Sequence, residues 1–463
     1  MALESGNGPV RDVVVVGAGI AGLAAAWALR DKDVVVLESG ERVGGRMRSE
    51  PRGDYWLSVG AHMFPGPGSV IDGLVDELGL RVLEIGGSLL GMAYGGRIAR
   101  GARAELYPFK LPLSLAGRLS FIRAGLKVRS AGRAYNELAR QRPGENAADV
   151  RRRVLAFRDD ISFADFIGPL HPQAHAIFHA MTNRMTAEPD EISAGCMASL
   201  FAHVWSDGDA VLARSLEGGA AELPRAIARR LGDRIVLNAD VQELVQRDGL
   251  VRIRHEGGEV VARTAIVATT ADVARTVIRD LPDETAAALD HITYGPMAVL
   301  SVLTNETRPM PWDDVYSILV ADRSFNMFFN HASALRVPGA PRKPGGTLMI
   351  YAGAGRARRL FELSEDEMRD TMLRDLHALF PETRGIVEET LAARWTHTVP
   401  FASPGRHLVQ DALERPVGGS IFLAGDYIGA WTDIESAATT GQEAAAKALG
   451  ALASEPVLAG SSR

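Results

Sequence analysis

Three glycines near the start of the chain have the spacing that lets a protein backbone bind a pyrophosphate. Gly17, Gly19 and Gly22 form a G-x-G-x-x-G motif directly after the β-branched run at residues 13–16. In such a motif the first glycine permits a tight turn, the second lets the main chain approach a phosphate, and the third lets a helix pack against the strand. The N–H groups that begin that helix attract the phosphate charge. The pattern predicts a dinucleotide site, and the alternative is a glycine turn with only a structural role.

An acidic residue lies where a dinucleotide site needs one. The second apolar run, residues 34–37, ends in Glu38, which stands 21 residues after Gly17. A carboxylate at this position accepts hydrogen bonds from ribose hydroxyls. The two runs are typical of strands buried in a parallel sheet, and residues 23–30 between them are expected to form a helix. This placement makes the motif more specific than its glycines alone.

The segment after Glu38 helps to distinguish a site for FAD from a site for NAD. Gly44 and Gly45 are adjacent, which allows close backbone approach, and Arg46 follows them. Its guanidinium is placed to meet phosphate oxygens or a flavin ring, so the segment favours FAD over NAD. The alternative is an ordinary surface turn with a solvated arginine.

Composition excludes several classes of protein. A chain of 463 residues is too long for one ordinary core, so two domains are expected. The net charge of −6 argues against nucleic-acid binding. The one cysteine, Cys196, excludes an intramolecular disulfide and fits a reducing cytoplasm. We reject a signal peptide or membrane helix at residues 13–29, because glycines interrupt that stretch and it is shorter than the roughly 20 residues of a span.

Several further segments, in the same order, resemble the flavin-containing superfamily that joins amine oxidases, protoporphyrinogen oxidases and phytoene desaturases. They are similar to the loop beside the flavin, the return into the FAD domain, the adenine contact, the tryptophan segment and the closing FAD motif. In this sequence they are Val59-Gly60-Ala61-His62, Leu216-Glu217-Gly218-Gly219, Val241, Trp395 and Ile421-Phe422-Leu423-Ala424-Gly425-Asp426.

The resemblance implies an α/β fold. A Rossmann-like FAD-binding domain of the glutathione-reductase type is expected at residues 1–90, 215–270 and 394–463. A discontinuous α+β substrate-binding domain is expected at residues 91–214 and 271–393. The first of its two stretches is expected to be largely helical and the second rich in strands.

The glycine motif and the resemblance together imply non-covalent FAD, because Cys196 is far along the chain from the closing motif, where relatives with covalent flavin use a cysteine. The Thr432-x-x-Glu435 pattern is expected to form a capping box that opens a helix over residues 433–449. By resemblance, that helix directs its N-terminus at the flavin N1/C2=O edge. The cofactor contacts implied are Gly17, Gly19, Ile20, Ala21, Gly22, Glu38, Ser39, Gly44, Gly45, Arg46, Gly60, Ala61, His62, Val241, Trp395, Gly425, Asp426 and Ile434.

The sequence departs from the amine-oxidase pattern at the catalytic positions. Amine oxidases of this superfamily commonly carry a lysine on the strand after a Pro-Met-like turn. Here that turn is Gly295-Pro296-Met297, and the following residues hold no lysine. One aromatic cage position is replaced by an aspartate, which favours the porphyrinogen-oxidase and desaturase side. The candidate catalytic residues are His62, Ser301, Trp395, Tyr427, Trp431 and Asp433.

The expected activity is removal of hydride from a C–H bond of a largely apolar small molecule, forming C=C or C=N. Molecular oxygen or another acceptor takes the electrons. The alternatives are an amine or amino-acid oxidase, a redox-neutral flavin isomerase or mutase, and, least favoured, a non-enzymatic FAD-binding module. The oligomeric state is not specified by the sequence.

Three features outside the FAD motifs allow two interpretations each. The basic stretch 115–140 is interpreted as a solvated helix face rather than a contact with anionic lipid. His171, His175 and His179 share a helix face, but no metal is expected because no carboxylate or cysteine joins them at ligand spacing. Apolar residues that line a pocket or simply form core are Met181, Met185, Met197, Phe201, Trp205, Phe328 and Phe329.

Overall fold

The computed structural model describes residues 9–86, 90–101, 103–202, 214–336, 339 and 341–454. The chain divides into two compact units, each assembled from separated stretches. The first unit is Met1–Gly45, Leu223–Ile292 and Leu408–Arg463, and the second is Arg46–Glu222 and Thr293–His407. Residues 46–90 belong by contact to the second unit, whereas the functional division proposed above assigns them to FAD binding.

The first unit is built on a largely parallel sheet. Strand order is β10-β11-β12-β1-β2-β9, and β18 pairs with β12. The pairings β18/β12, β12/β1, β1/β2 and β2/β9 are all parallel. The strands are β1 (Arg11–Val16), β2 (Val34–Leu37), β9 (Ile235–Val236), β10 (Val241–Arg247), β11 (Leu250–His255), β12 (Gly258–Val267) and β18 (Ile421–Leu423).

Helices complete the first unit. The valines of β1 and β2 are buried, as strands covered on both faces require. The longest described helix of this unit, α15, packs on α1, and a Cβ on its Gly441 would lie 2.1 Å from the Ala21 carbonyl oxygen. The Rossmann-like α/β prediction is therefore confirmed. The helices are α1 (Ile20–Ala28), α9 (Glu222–Leu231), α10 (Ala271–Val277), α11 (Asp283–His291), α14 (Gln410–Glu414) and α15 (Ile434–Ser454).

The second unit is organised around a mostly antiparallel sheet of order β17-β13-β16-β15-β14-β6-β7. Only the β14/β6 pairing is parallel among the described strands of this sheet. The strands of the unit are β3 (Ser49–Arg52), β4 (Tyr55–Ser58), β5 (Val82–Glu84), β6 (Gly91–Tyr94), β7 (Arg97–Ala99), β8 (Arg214–Leu216), β13 (Thr293–Thr304), β14 (Ser317–Val320), β15 (Met327–Asn330), β16 (Gly346–Gly353) and β17 (Val387–Phe401).

The sheet of the second unit carries an apolar core on each face. Phe329 belongs to one core and Phe328 to the other, so these two cannot line the same cavity. Adjacent residues of a strand point to opposite faces, and this corrects the grouping inferred from the sequence. Trp205 lies outside the described residues.

The helices of the second unit are α2 (Val70–Glu77), α3 (Tyr107–Lys110), α4 (Leu115–Ala139), α5 (Ala147–Leu155), α6 (Phe163–Ile167), α7 (Pro172–Arg184), α8 (Ala194–Ala202), α12 (Ala354–Phe361) and α13 (Glu365–Leu379).

The Gly295-Pro296-Met297 segment is not a turn, contrary to the sequence prediction. It lies inside β13, where the register with β17 shifts between Gly295 and Met297. Proline has no N–H for the strand ladder, and a β-bulge accommodates it without ending the strand.

The basic stretch predicted at 115–140 forms α4. Its Leu115, Leu119 and Leu126 side chains are exposed alongside Arg123 and Lys127. Among the described residues, no helix is both long and apolar enough to cross a membrane. The choice between a solvated face and a lipid contact stays a prediction.

The three spaced histidines do lie on or beside one helix, α7. His171 caps its N-terminus, and the His175 and His179 rings stack with centroids 5.5 Å apart. A carboxylate that the spacing did not reveal, Glu188, hydrogen-bonds His179. In the part of the chain that the structure describes, no three potential ligands are grouped as a metal ion would need.

Candidate functional site

The glycine motif forms the turn between β1 and α1 in the first unit. Gly17 has φ of +99°, which L side chains rarely adopt. A Cβ on Gly22 would lie 1.9 Å from the Gly17 carbonyl oxygen, so this glycine is required for helix and strand to pack. The conformation and packing of the backbone therefore explain why residues 17 and 22 are glycines.

Gly19 has no such internal reason to be glycine. Its backbone is extended, with φ of −68° and ψ of 174°, and a Cβ there would meet nothing within 4 Å. It is the N-cap of α1, and no described side chain caps that helix. Open space beside the positive end of a helix dipole fits the pyrophosphate of a dinucleotide.

Glu38 fixes the shape of this turn from the end of β2. Its Oε2 accepts a hydrogen bond of 2.7 Å from the Ala18 N–H, and its Oε1 accepts one of 2.8 Å from the Gly40 N–H. The Gly44 N–H in turn donates to the Ala18 carbonyl at 2.8 Å. The segment at 38–45 and the glycine motif are therefore one connected structure.

The closing motif leads from β18 into α15, also in the first unit. The Gly425 N–H donates to the Thr440 hydroxyl oxygen at 3.0 Å, which ties the strand end to the helix. Asp426 follows at the carboxyl end of the parallel sheet and is buried. Tyr427 is buried beside it, and Trp431 is half-buried.

Asp433, not Thr432, caps α15. The Asp433 Oδ1 accepts a hydrogen bond of 2.7 Å from the Ser436 N–H, whereas the Thr432 hydroxyl has no hydrogen-bond partner among the described residues. The helix begins at Ile434 and runs to Ser454 rather than over 433–449. The predicted capping box is wrong. Thr432 and Asp433 are both residue types that cap helices, and it is Asp433 that accepts the hydrogen bond from the Ser436 N–H. Burial raises the pKa of Asp433.

The flavin-loop residues predicted from sequence come together in the second unit. A Cβ on Gly60 would lie 2.0 Å from the Arg46 carbonyl oxygen, and the Ala61 N–H donates to that oxygen at 3.0 Å. The Trp395 indole N–H donates to the Val59 carbonyl at 2.6 Å. The Arg46 guanidinium donates to the Thr398 carbonyl at 2.5 Å. Arg46, the loop at 59–62 and the middle of β17 therefore form one hydrogen-bonded cluster.

His62 extends this cluster into a group of buried rings. Its ring centroid lies 4.6 Å from that of Phe329, 4.6 Å from that of His331 and 6.4 Å from that of Tyr316. Burial lowers the pKa of His62 to about 4, and the positive charge of Arg184 contributes in the same direction. Burial also lowers the pKa of His331 and raises that of Tyr316. These rings are neutral near pH 7.

Two predicted site residues lie within strands. Ser301 is fully buried in β13, and its hydroxyl donates to the Leu348 carbonyl at 3.3 Å. Val241 begins β10, where it is buried and paired with His255. Both assignments stay predictions.

Comparison with known proteins identifies the family. A sequence model described as "Flavin containing amine oxidoreductase" matches residues 20–449 of this chain. The chain belongs to this family. It is a flavin-dependent oxidoreductase with FAD as its cofactor, and the resemblance drawn from the motifs is confirmed.

The names of the curated relatives include a protoporphyrinogen oxidase and an L-amino-acid oxidase. Chloroplastic protoporphyrinogen oxidase 1 of Spinacia oleracea is 24% identical over 90% of this chain and 81% of the relative. An L-amino-acid oxidase of Sistrurus catenatus edwardsii is 26% identical, but the alignment covers 63% of this chain and 57% of that protein.

Solved structures of two amine oxidases share the fold. Cyclohexylamine oxidase from Brevibacterium oxydans has a TM-score of 0.78 at 20% identity, covering 96% of this chain and 100% of that one. A putrescine oxidase double mutant has a TM-score of 0.76 at 21% identity, covering 95% and 99%.

Sequence reasoning missed the residues that surround His62 in this flavoprotein. Tyr316 directly precedes β14, Phe329 lies in β15, His331 begins the turn after β15, and Arg184 ends α7. The sequence allows Phe329 to line a pocket, but no motif links it to His62. The one available signal was a histidine, His331, directly after a buried strand.

Proposed function

We propose that this flavoenzyme removes a hydride from a C–H bond of a largely apolar, neutral small molecule and forms a C=C or C=N bond. The observation that carries the proposal is the ring cluster of the second unit. His62 and His331 are buried with Tyr316 and Phe329, burial keeps both imidazoles neutral, and the charged residue that acts on His62 is the cation Arg184. These surroundings suit an uncharged substrate better than an ammonium ion.

Residues of the first unit have the features needed to hold the dinucleotide. The backbone at Gly17, Gly19 and the start of α1 would bind the pyrophosphate, and Glu38 would accept a ribose hydroxyl while it holds the Ala18 N–H. Bound FAD supplies the hydride acceptor, as flavins do in general. From the sequence motifs and the family resemblance, Arg46, Gly60, Ala61, His62 and Trp395 are proposed as further cofactor contacts.

The residues of the second unit would orient the substrate and exclude water rather than carry a strong base. A histidine with a pKa of about 4 is a weak proton acceptor at pH 7. In the overall reaction the substrate would lose a hydride and a proton, and molecular oxygen or another acceptor would take the two electrons.

Anaerobic reduction is the direct test. The purified holoenzyme is mixed without oxygen with neutral hydroaromatic compounds, amines and amino acids, and the flavin band at roughly 450 nm is followed. Bleaching by the neutral compounds is expected. Bleaching by none of the three classes would contradict the proposal.

An amine or amino-acid oxidase is the second candidate, favoured by the family description and the L-amino-acid oxidase relative. In this case amines bleach the flavin, and hydrogen peroxide and a carbonyl product appear in air. A redox-neutral isomerase or mutase would show product without oxygen uptake. An oxygen electrode separates this redox-neutral reaction from the two oxidations, and the peroxide and carbonyl products identify the amine oxidase.

The cytoplasm is the proposed location, supported by the single cysteine.

A further inference from the structure

Two buried histidines of the second unit have ring nitrogens without hydrogen bonds. His62 is 9% exposed and His331 is 4% exposed. Among the described residues, neither the His62 Nε2 nor either ring nitrogen of His331 has a hydrogen-bond partner. Buried polar atoms nearly always have a partner in the protein, in water or in a ligand. Three such atoms on two rings 4.6 Å apart indicate a site that binds a polar group.

The fourth ring nitrogen fixes the role of His62. Its Nδ1 lies 3.1 Å from the Gly60 carbonyl oxygen, which can only accept a hydrogen bond. Nδ1 therefore carries the proton, and Nε2 of the neutral ring is an acceptor. Neutral His331 has one donor and one acceptor nitrogen. Together the two rings offer acceptors and a donor to the same small group.

The charges around His62 and His331 limit the kind of polar group that can bind to them. Burial is the main cause of the lowered pKa of His62, and the positive charge of Arg184 lowers it further. Burial also lowers the pKa of His331, and His62 adds to that effect, so protonation of one ring opposes protonation of the other. An ammonium group beside this pair would meet both the repulsion of Arg184 and the cost of burial.

The remaining neighbours are aromatic. Tyr316 and Phe329 lie against both histidine rings, with centroids between 4.6 and 6.4 Å. Apolar walls around a few convergent polar atoms are typical of small-molecule sites. The polar group that fits must be small, uncharged and able both to donate and to accept.

We propose that the His62–His331 pair binds a neutral hydroxyl group on an otherwise apolar substrate. The hydroxyl donates to the His62 Nε2, and its oxygen accepts from the N–H of His331. His331 is thereby a substrate-binding residue that determines specificity. This inference rests on the proposed function, since the substrate of that reaction is the molecule that carries the hydroxyl.

Three ligands that share one aromatic body test the proposal: benzyl alcohol, toluene and benzylammonium. Each is titrated into oxidised, ¹⁵N-histidine-labelled holoenzyme without oxygen, with dissociation constants from calorimetry and ring ¹⁵N shifts from NMR. We expect benzyl alcohol to bind about tenfold more tightly than the other two, as one to two net hydrogen bonds allow. It should also shift the His62 Nε2 resonance.

Variants assign the preference to His331. H331F should bind benzyl alcohol and toluene equally, while H331N should keep the preference because an amide both donates and accepts. The matched control is H255F, since His255 is buried to the same 4% but lies in β11 of the first unit. Thermal melting of each variant checks folding.

Several results would overturn the proposal. They are equal affinities of the wild-type protein for benzyl alcohol and toluene, tightest binding of benzylammonium, no histidine shift with any ligand, and an H331F variant that keeps the preference. Binding to the oxidised enzyme needs no turnover. If the preference is present but no substrate bleaches the flavin, the proposed function fails and the hydroxyl site stands.

Discussion

The glycine motif of the first unit and the ring cluster of the second unit are built in opposite ways. The motif is a continuous stretch whose backbone atoms are proposed to bind the cofactor, and Glu38 holds it through two N–H groups. The cluster is made of side chains from distant positions, His62, Tyr316, Phe329 and His331, brought together by strands. If the proposed roles hold, the cofactor constrains the backbone of the motif, whereas side-chain changes in the ring cluster alter substrate specificity.

The largest expected effect is that of Gly22→Ala. Its Cβ would lie 1.9 Å from a backbone oxygen, which cannot move aside as a flexible side chain can. We expect loss of the folded first unit and of bound FAD, since overpacking commonly costs about 1–3 kcal/mol and this contact is severe. Melting temperature and folded yield measure it.

The control for that variant is Gly125→Ala in α4, where a Cβ meets nothing within 4 Å. Replacing a helical glycine there should stabilise the protein by up to about 1 kcal/mol. A Gly22→Ala protein as stable as the wild type would show that helix and strand do not need this close contact.

Gly19→Val should separate cofactor binding from folding. The position has space in the protein and an extended backbone, so the variant should melt near the wild-type temperature. Its side chain would occupy the space proposed for the pyrophosphate. We expect FAD affinity to fall at least about tenfold, or about 1.4 kcal/mol.

The ratio of absorbance at roughly 450 nm to that at roughly 280 nm reports FAD occupancy in the variant. Full occupancy in Gly19→Val would contradict the assignment of this turn to the pyrophosphate.

The ring cluster should make the protein sensitive to mild acid. His62 has an ordinary pKa of about 6.5 when unfolded and about 4 when folded, so the unfolded chain binds more protons between these values. The free energy of unfolding therefore has its full value above about pH 6.5 and falls as the pH drops toward 4. The limit for this residue is about 3–4 kcal/mol, from about 2.5 pKa units at about 1.4 kcal/mol each.

Urea unfolding at pH 7, 5.5 and 4.5 tests this window, with His62→Phe as the variant that lacks the titrating ring. The variant should lose less stability than the wild type over the same range. Glu188 behaves differently, because its hydrogen bond with His179 lowers its pKa to about 2. Its contribution to stability is lost mainly below pH 4.5, below most of the range in which His62 titrates. Identical acid dependence in the two proteins would show that His62 is not buried in its neutral form.

The same contrast explains what could be predicted from the sequence. The strands at 13–16, 34–37 and 421–423 and the glycine turn follow from local pattern, because buried parallel strands and pyrophosphate turns use short, continuous residues. Arg46 is predicted from its place after two adjacent glycines, and the loop at 59–62 and Trp395 by resemblance. The structure brings all of them together in one cluster.

The rest could not be predicted, because it depends on long-range packing. His331 meets His62 only after β14, β15 and β16 have paired, and no local pattern encodes that register. Phe328 and Phe329 are an exception, because adjacent residues of a strand point to opposite faces, so predicting a strand at β15 would have separated them. The Pro296 bulge depends likewise on the partner strand β17.

The smallest expected effect concerns the cap of α15, where the sequence suggested Thr432 and the structure has Asp433. Asp433→Ala removes the acceptor for the Ser436 N–H and should cost about 1 kcal/mol, whereas Asp433→Asn should keep most of it because asparagine caps as well. Thr432→Ala removes a hydroxyl without a hydrogen-bond partner among the described residues and should stay within about 0.5 kcal/mol of the wild type. Thermal unfolding of the three variants gives the comparison. A larger loss in Thr432→Ala than in Asp433→Ala would restore the capping box that the sequence predicted, and would move the start of the helix that follows the closing FAD motif.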